Sequence, residues 1–140
     1  MLKNYIYTFT LLLILSCNNQ FRQSLLSVKK QTTIIRNYIN AEDNRDTVVL
    51  KNLLSDTITT YWKMENPSKQ KIINFYKDYW MKNKFSKNVI QCIDAVAKNT
   101  YTVKTFFEVQ RIQVDTVLHF ESSIVYKLNE FNEIMYVGKE

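Results

Sequence analysis

Candidate residues for chemistry lie in the strand-rich C-terminal part of the chain. They are the single histidine, His119, and two residues of one apolar segment, Cys92 and Asp94. A carboxyl buried in that segment would have a raised pKa and could act as a general base. Asp94 and His119 are therefore the candidate catalytic residues, while Cys92 fits a small buried hydrophobic residue. The alternative for Asp94 is a solvated or hydrogen-bonded carboxylate at a strand edge.

The sequence offers little for a metal or a cofactor. With one histidine and two cysteines, no ligand cluster has the spacing of a zinc or transition-metal site. The single glycine leaves no glycine-rich loop of the kind that binds nucleotide phosphates. We therefore predict no metal and no cofactor.

Aromatic residues make up 14% of the chain and form the candidate ligand site. Ligand pockets are mostly apolar and aromatic, with a few polar groups. The alternative is that the same rings fill the core of a small domain. The candidate ligand-binding residues come from several predicted elements: Tyr38, Trp62, Tyr76, Trp80 and Tyr101, with Phe107 beside them.

Helical elements that would position these residues come first in the chain. Apolar residues at three- and four-residue steps predict a helix over about residues 24–40. Asp46 is a good N-cap for a short helix that ends near Leu54. After the break at Asn66 and Pro67, Ser68 can cap a third helix that continues to about residue 81.

Strands dominate the rest of the chain. Residues 57–62 form a short β-branched run, and the segments 89–97, 101–114, 116–128 and 134–137 are rich in β-branched and aromatic residues. This order predicts an α+β fold in which helices pack on one face of a mostly antiparallel sheet. Alternation in 116–128 turns His119, Glu121 and Lys127 away from the helices, towards solvent or a partner.

An N-terminal segment indicates export. Lys3 precedes the apolar run 5–15, which is too short to span a bilayer and ends at Ser16 and Cys17 before a polar stretch. This is typical of a secretory signal peptide. The ending resembles the lipobox of bacterial lipoproteins, which implies that Cys17 is acylated, for example with palmitate, and becomes the first mature residue. A signal peptide cut elsewhere and an uncleaved anchor are the alternatives.

The domain organisation and location follow from that resemblance. We expect a signal peptide at 1–16, a lipidated cysteine and short tether at 17–23, and one domain at 24–140. The chain would lie in the cell envelope as a membrane-anchored lipoprotein. Asn18 rather than aspartate follows Cys17, which favours the outer membrane if the organism is Gram-negative.

The charge pattern is basic, with a formal net charge of +6. For an exported chain a nucleic-acid partner is not expected, and we predict none. The excess of positive charge is compatible with a solvated helix face and loop. On a domain tethered to a membrane, the same charges could instead contact anionic lipid headgroups. Much of it lies in six lysines: Lys69, Lys71, Lys77, Lys82, Lys84 and Lys87.

An ordered set of segments resembles a known superfamily. Tyr38-Ile-Asn-Ala41, Asp46-Thr-Val-Val-Leu50 and Leu53-Leu54-Ser-Asp56-Thr-Ile are similar to the opening of nuclear transport factor 2-like proteins. These include ketosteroid isomerase, SnoaL-type cyclases and scytalone dehydratase. The resemblance covers about residues 24–140. It implies a cone-like, cystatin-like roll: a curved sheet around a long helix, with a pocket open at one end and, in many members, a homodimer.

Three functions are compatible with these features. The first is a membrane-anchored, non-catalytic binding or interaction module, for example for a small apolar ligand. The second is an isomerase or dehydratase that uses Asp94 or His119, since enzymes of the superfamily use a pocket Asp or His as a base. The third is an immunity-like or structural lipoprotein that binds a protein through the sheet face of His119, Glu121 and Lys127.

Overall fold

The computed structural model describes the backbone of residues 2–139 and the side chains of residues 23–139. The predicted signal peptide and Cys17 lie outside the residues whose side chains are described. By internal contacts the chain divides into two units, residues 1–30 and residues 31–140. In the described part of the chain, no helix combines the length and the apolar character needed to cross a bilayer.

Three helices form where the sequence predicts them, with wider bounds for the first. Helix α1 is Leu2–Asp43, α2 is Thr47–Leu53 and α3 is Lys69–Lys82. The predicted caps are confirmed: an Asp46 carboxylate oxygen accepts hydrogen bonds from the amides of Val48 and Val49 at 3.1 and 3.0 Å. The hydroxyl of Ser68 accepts one from the Lys71 amide at 3.2 Å. These side chains satisfy amides that would otherwise be unpaired at the helix starts.

Six strands form one curved, mostly antiparallel sheet, and the α+β prediction is confirmed. Its order is β2-β1-β6-β5-β4-β3, and the β1–β6 pair is parallel. The three helices pack on this sheet. The strands are β1 (Thr60–Tyr61), β2 (Met64–Glu65), β3 (Asn83–Ala97), β4 (Thr100–Arg111), β5 (Leu118–Leu128) and β6 (Ile134–Lys139).

The sheet differs from the sequence prediction in an additional short strand, β2, and in the earlier start of β3. The segment after β1 turns at Trp62, which has a positive φ of 53°, and returns as β2. Strand β3 begins at Asn83, directly after α3, several residues before the predicted start at 89. There Arg45 donates hydrogen bonds to the carbonyls of Asn83 and Lys84 at 2.8 and 2.9 Å. These contacts come from a distant turn, so they have no local sequence signal.

The inner face of the sheet supplies half of the core and one wall of a cavity. Along β5 the predicted alternation is confirmed at its C-terminal half, where Ile124, Tyr126 and Leu128 are buried. At the N-terminal half of the same face, Phe120 is 50% exposed. The apolar face of this strand therefore leaves the core at one end, and that end opens into the cavity.

Candidate ligand-binding site

A cavity of about 370 Å³ lies between the end of α1, the helix α3 and the inner face of the sheet. Its lining combines seven aromatic side chains with a few polar and charged groups. All of these residues belong to the unit formed by residues 31–140. The lining residues are Glu42, Asp43, Trp62, Phe75, Tyr76, Tyr79, Trp80, Ser86, Asn88, Phe107, Phe120, Glu121, Ser122, Ile124 and Lys139.

Glu42 is the central polar group of this cavity. Its Oε1 accepts hydrogen bonds from the hydroxyl of Tyr76 and, at 3.4 Å, from that of Tyr61. The Tyr61 hydroxyl also contacts that of Tyr76, and it lies 2.6 Å from the hydroxyl of Tyr38. One carboxyl and three phenols from α1, β1 and α3 therefore form a continuous hydrogen-bonded network.

Burial raises the pKa of Glu42 from 4.5 to about 8. Enclosure by protein penalises the charged form, and the neighbouring charge of Asp43 raises the pKa further. The tyrosine hydrogen bonds favour the carboxylate and oppose this shift without cancelling it. Glu42 is therefore largely protonated at neutral pH and can change its protonation state near physiological pH.

Asp43 is held in place beside Glu42. The backbone amide of Asn88 donates to both of its carboxylate oxygens, at 3.1 and 2.9 Å, and the Asn88 side-chain amide donates at 2.8 Å. Burial raises the pKa of Asp43, and the Asn88 donors oppose that rise. These contacts connect the end of α1 to the edge strand β3 and fix the second carboxyl at the cavity wall.

The placement of both acids in the last turn of α1 is unusual. The C-terminal end of a helix carries partial negative charge, so carboxylates are disfavoured there. The helix is terminated by Arg45, which has a left-handed backbone conformation with a φ of 59°. The Arg45 amide donates a hydrogen bond to the Glu42 carbonyl at 3.2 Å. Violations of local electrostatic preference concentrate at functional sites, which is consistent with the position of this pair in the cavity.

Tyr79 adds a further polar group at the cavity wall. Its hydroxyl is buried and makes no hydrogen bond of normal geometry with the described residues, although the Ser86 side chain is near enough to interact with it. Burial raises its pKa, and the nearby Ser86 side chain lowers it. A buried phenol without a hydrogen bond of normal geometry is a donor that a ligand could satisfy.

The aromatic candidates from the sequence divide into two groups. Trp62, Tyr76 and Trp80 line the cavity, as does Phe107. Tyr38 is fully buried behind the wall, where its hydroxyl reaches those of Tyr61 and Tyr76. Tyr101 lies elsewhere in the core, with its hydroxyl donating to Gln31 at 2.6 Å.

The catalytic candidates from the sequence lie outside the cavity. Asp94 is exposed and accepts a hydrogen bond from the thiol of Cys92 at 3.3 Å. His119 is exposed on the other face of β5, where its Nδ1 lies 3.5 Å from a Glu108 carboxylate oxygen. Neither residue lines the cavity, so the structure gives no support to the isomerase mechanism that uses them.

Sequence reasoning missed Glu42 and Tyr61. The helical spacing of Tyr38 and Glu42, four residues apart, was a signal that both share one face of α1. Tyr61 had no such signal, because its contact with Glu42 depends on the short parallel pair of β1 with β6. Among the residues that the structure describes, no group of three or more side chains could hold a metal ion.

A second groove adjoins the first cavity and shares Tyr79, Phe107 and Phe120 with it. Its volume is about 680 Å³, and it continues along the ends of β3, β4 and β5. Three of its other apolar residues, Met81, Ile112 and Leu118, are exposed, while Val109 is buried.

Together, three helices on a curved six-stranded sheet define a nuclear transport factor 2-like, cystatin-like fold. Several solved structures have the same fold. An NTF2-like protein of unknown function from Exiguobacterium sp. 255-15 is similar, with a TM-score of 0.66 and 17% sequence identity. The match covers 76% of this chain and 95% of that protein's chain. A Δ5-3-ketosteroid isomerase from Mycobacterium sp. has a TM-score of 0.64 at 11% sequence identity, and the match covers 78% of this chain and 90% of that chain.

An LEH-like epoxide hydrolase from Mycobacterium tuberculosis is also similar, with a TM-score of 0.66 at 11% identity, over 79% of this chain and 80% of that chain. The fold is therefore shared by enzymes and by proteins of unknown function. No family model and no curated protein matches the sequence.

Proposed function

We propose that the protein binds a small molecule with an apolar body and one polar group in the cavity of Glu42, and presents this site from a membrane anchor. The observation that carries the proposal is the combination of seven aromatic walls with a part-buried, hydrogen-bonded carboxyl. Pockets of a few hundred Å³ with few, fixed polar groups are typical small-molecule sites. Binding without catalysis is the simplest role for this arrangement.

The anchor rests on Cys17 and the preceding apolar segment. Diacylation or triacylation at Cys17 would give stable attachment, whereas one chain is marginal. A Cys17→Ala variant, expressed in the native host, should move from the membrane fraction to the soluble fraction. A variant that still sediments with membranes would exclude lipid attachment at this residue, and Cys92→Ala is the matched control.

Binding in the cavity can be tested with a neutral, environment-sensitive naphthalene dye. The purified full-length chain should enhance its fluorescence, and Phe120→Ala should weaken binding severalfold, because it removes an aromatic wall that is already half exposed and therefore costs little stability. Phe131→Ala is the matched control, since Phe131 is 73% exposed and lines none of the cavities described. If Phe120→Ala and Phe131→Ala bound the dye with equal affinity, the dye would bind outside this cavity.

A second candidate function is proton transfer on the bound molecule. The pKa of about 8 at Glu42, with phenol donors at its Oε1, favours this because a general base works best near the operating pH. The ketosteroid isomerase of similar fold makes a β,γ-unsaturated ketone a suitable first compound. Its conversion to the conjugated isomer, abolished by Glu42→Gln, would favour an enzyme over a binding module.

A further inference from the structure

We infer that the ligand of this cavity is an organic cation, held by the carboxyls of Glu42 and Asp43 and by the aromatic walls. The inference rests on the proposed small-molecule site and adds the charge of its ligand. Two observations carry it: the sign of the charges around the cavity, and the type of ring that faces them.

The cavity is acidic although the chain is basic. The acidic residues at its wall are Glu42 and Asp43, and the basic one is Lys139. Glu121 also borders it, but from a position of β5 that alternates with Phe120 and so lies on the side of the strand that was predicted to face away from the helices. The whole sequence carries a formal net charge of +6. Charges of one sign collected in a concave, low-dielectric site focus the potential there and attract ligands of the opposite sign. A cationic ligand is therefore favoured by the cavity once Glu42 is ionised, even though the net charge of the whole chain is positive.

Neither of the two deeper carboxyls is in direct contact with a cationic side chain, although Lys87 is near enough to lower the pKa of Asp43. No ion pair to Glu42 or Asp43 occurs among the described side chains. Glu42 receives its tyrosine hydrogen bonds at Oε1, so Oε2 makes no hydrogen bond with the described residues. A buried carboxyl without a counter-ion is costly in its charged form, and a bound cation would remove that cost.

The walls are the rings that bind cations best. Trp62 and Trp80, the only tryptophans of the chain, both line the cavity. The Trp80 ring stacks on Tyr76 with centroids 5.2 Å apart, and Tyr76 is the residue that hydrogen-bonds Glu42. A cation over a tryptophan or tyrosine face gains about 0.5–2 kcal/mol, and quaternary ammonium groups are recognised in this way.

Ionisation of Glu42 links this binding to pH. The titratable groups around its carboxyl come from four elements: Asp43 and Tyr38 on α1, Tyr61 on β1, Tyr76 and Tyr79 on α3, and Tyr126 on β5. Glu121 and Lys139 border the same cavity from β5 and β6. Buried Tyr38 and Tyr61 have raised pKa values and stay neutral. A permanently charged ligand should therefore bind more tightly as Glu42 loses its proton, by roughly tenfold between pH 6.5 and 8.5.

The experiment compares three ligands of one shape and different charge: choline, the neutral 3,3-dimethylbutan-1-ol and the anionic 3,3-dimethylbutanoate. Binding to the full-length chain is followed by tryptophan emission, which reports on the cavity because both tryptophans line it. Ionic strength is held constant with sodium chloride. Choline should bind at least tenfold more tightly than the neutral alcohol, and its affinity should rise with pH.

In Glu42→Gln the affinity for choline should fall and its pH dependence should weaken. Glu130→Gln removes an exposed carboxyl and should match the wild type.

Each other outcome overturns the inference. Equal affinity for choline and the alcohol would leave a neutral binding site, so the proposed function would stand and its cation preference would fail. If 3,3-dimethylbutanoate bound more tightly than choline, the cavity would prefer an anionic ligand, and Lys139 would be the residue that determines this preference. No binding of any of the three ligands, together with no binding of the neutral dye, would reject the proposed function itself. The wild-type comparison decides the charge preference even if Glu42→Gln does not fold.

Discussion

Replacing Glu42 with glutamine should remove most of the pH dependence of stability between pH 4.5 and 8. The folded-state pKa of Glu42 is about 8, against 4.5 in its ordinary environment. In this window the folded protein holds a proton that the unfolded chain has lost, so the free energy of unfolding decreases as the pH rises. The contribution of Glu42 is fully present below pH 4.5 and is lost once the pH has passed about 8.

The expected size is large for one side chain. A difference of three to four pKa units corresponds to roughly 4–5 kcal/mol of stability lost between the two limits. Glutamine is a neutral analogue of the protonated acid, and its carbonyl can still accept from Tyr76 and Tyr61. The variant should therefore be about as stable as the wild type at pH 4.5 and more stable at pH 8.5.

Urea unfolding of the full-length chain, followed by circular dichroism at several pH values, measures this directly. A residual slope in Glu42→Gln is expected from Asp43, whose pKa burial also raises. Glu130→Gln serves as the control, because Glu130 is exposed and should leave the slope unchanged. If wild-type stability increased from pH 4.5 to 8, or if both variants kept the same slope, Glu42 would be charged in the folded protein.

The fold was largely predictable because its signals are local. Helix caps at Asp46 and Ser68 and the alternation along β5 depend on neighbours in sequence, and the structure has them where they were predicted. The short strand β2 was missed, because it depends on a left-handed Trp62 that has no strong sequence signature. The early start of β3 was missed because it is anchored by Arg45, some forty residues away.

The site was predictable only in its apolar part. Trp62, Tyr76 and Trp80 could be proposed as a pocket because large aromatic residues from several elements often meet. The polar centre depends on which acid is buried, and burial is a property of the assembled fold. Asp94 and Glu42 are both carboxyls beside apolar residues, but the first lies on an edge strand and is exposed, while the second lies under Tyr61 and Tyr76.

Gln31 shows the same dependence on tertiary contacts, and its replacement by leucine should lower the free energy of unfolding at every pH. The side chain is only 4% exposed, and its amide nitrogen donates to Asn99 and Asn132, both at 2.9 Å. Its oxygen accepts from Tyr101 at 2.6 Å. Asn99 and Asn132 have positive φ values of 54° and 64°, in the turns before β4 and β6. One glutamine therefore connects α1 to two hairpin turns and a core tyrosine.

Leucine keeps the volume of this side chain and removes all three hydrogen bonds. The buried hydroxyl of Tyr101 would lose its partner, and the loss of three bonds should cost about 2–4 kcal/mol of unfolding free energy in a urea titration. Gln70→Leu is the matched control, since the same change at an exposed position of α3 should alter stability by less than about 0.5 kcal/mol. Tyr101→Phe removes only one of the bonds and should cost about 1–2 kcal/mol. If Gln31→Leu and Gln70→Leu had equal effects, the hydrogen bonds of Gln31 would not stabilise the two turns. A large loss in Gln31→Leu with an intermediate loss in Tyr101→Phe would show that these three hydrogen bonds contribute the stability.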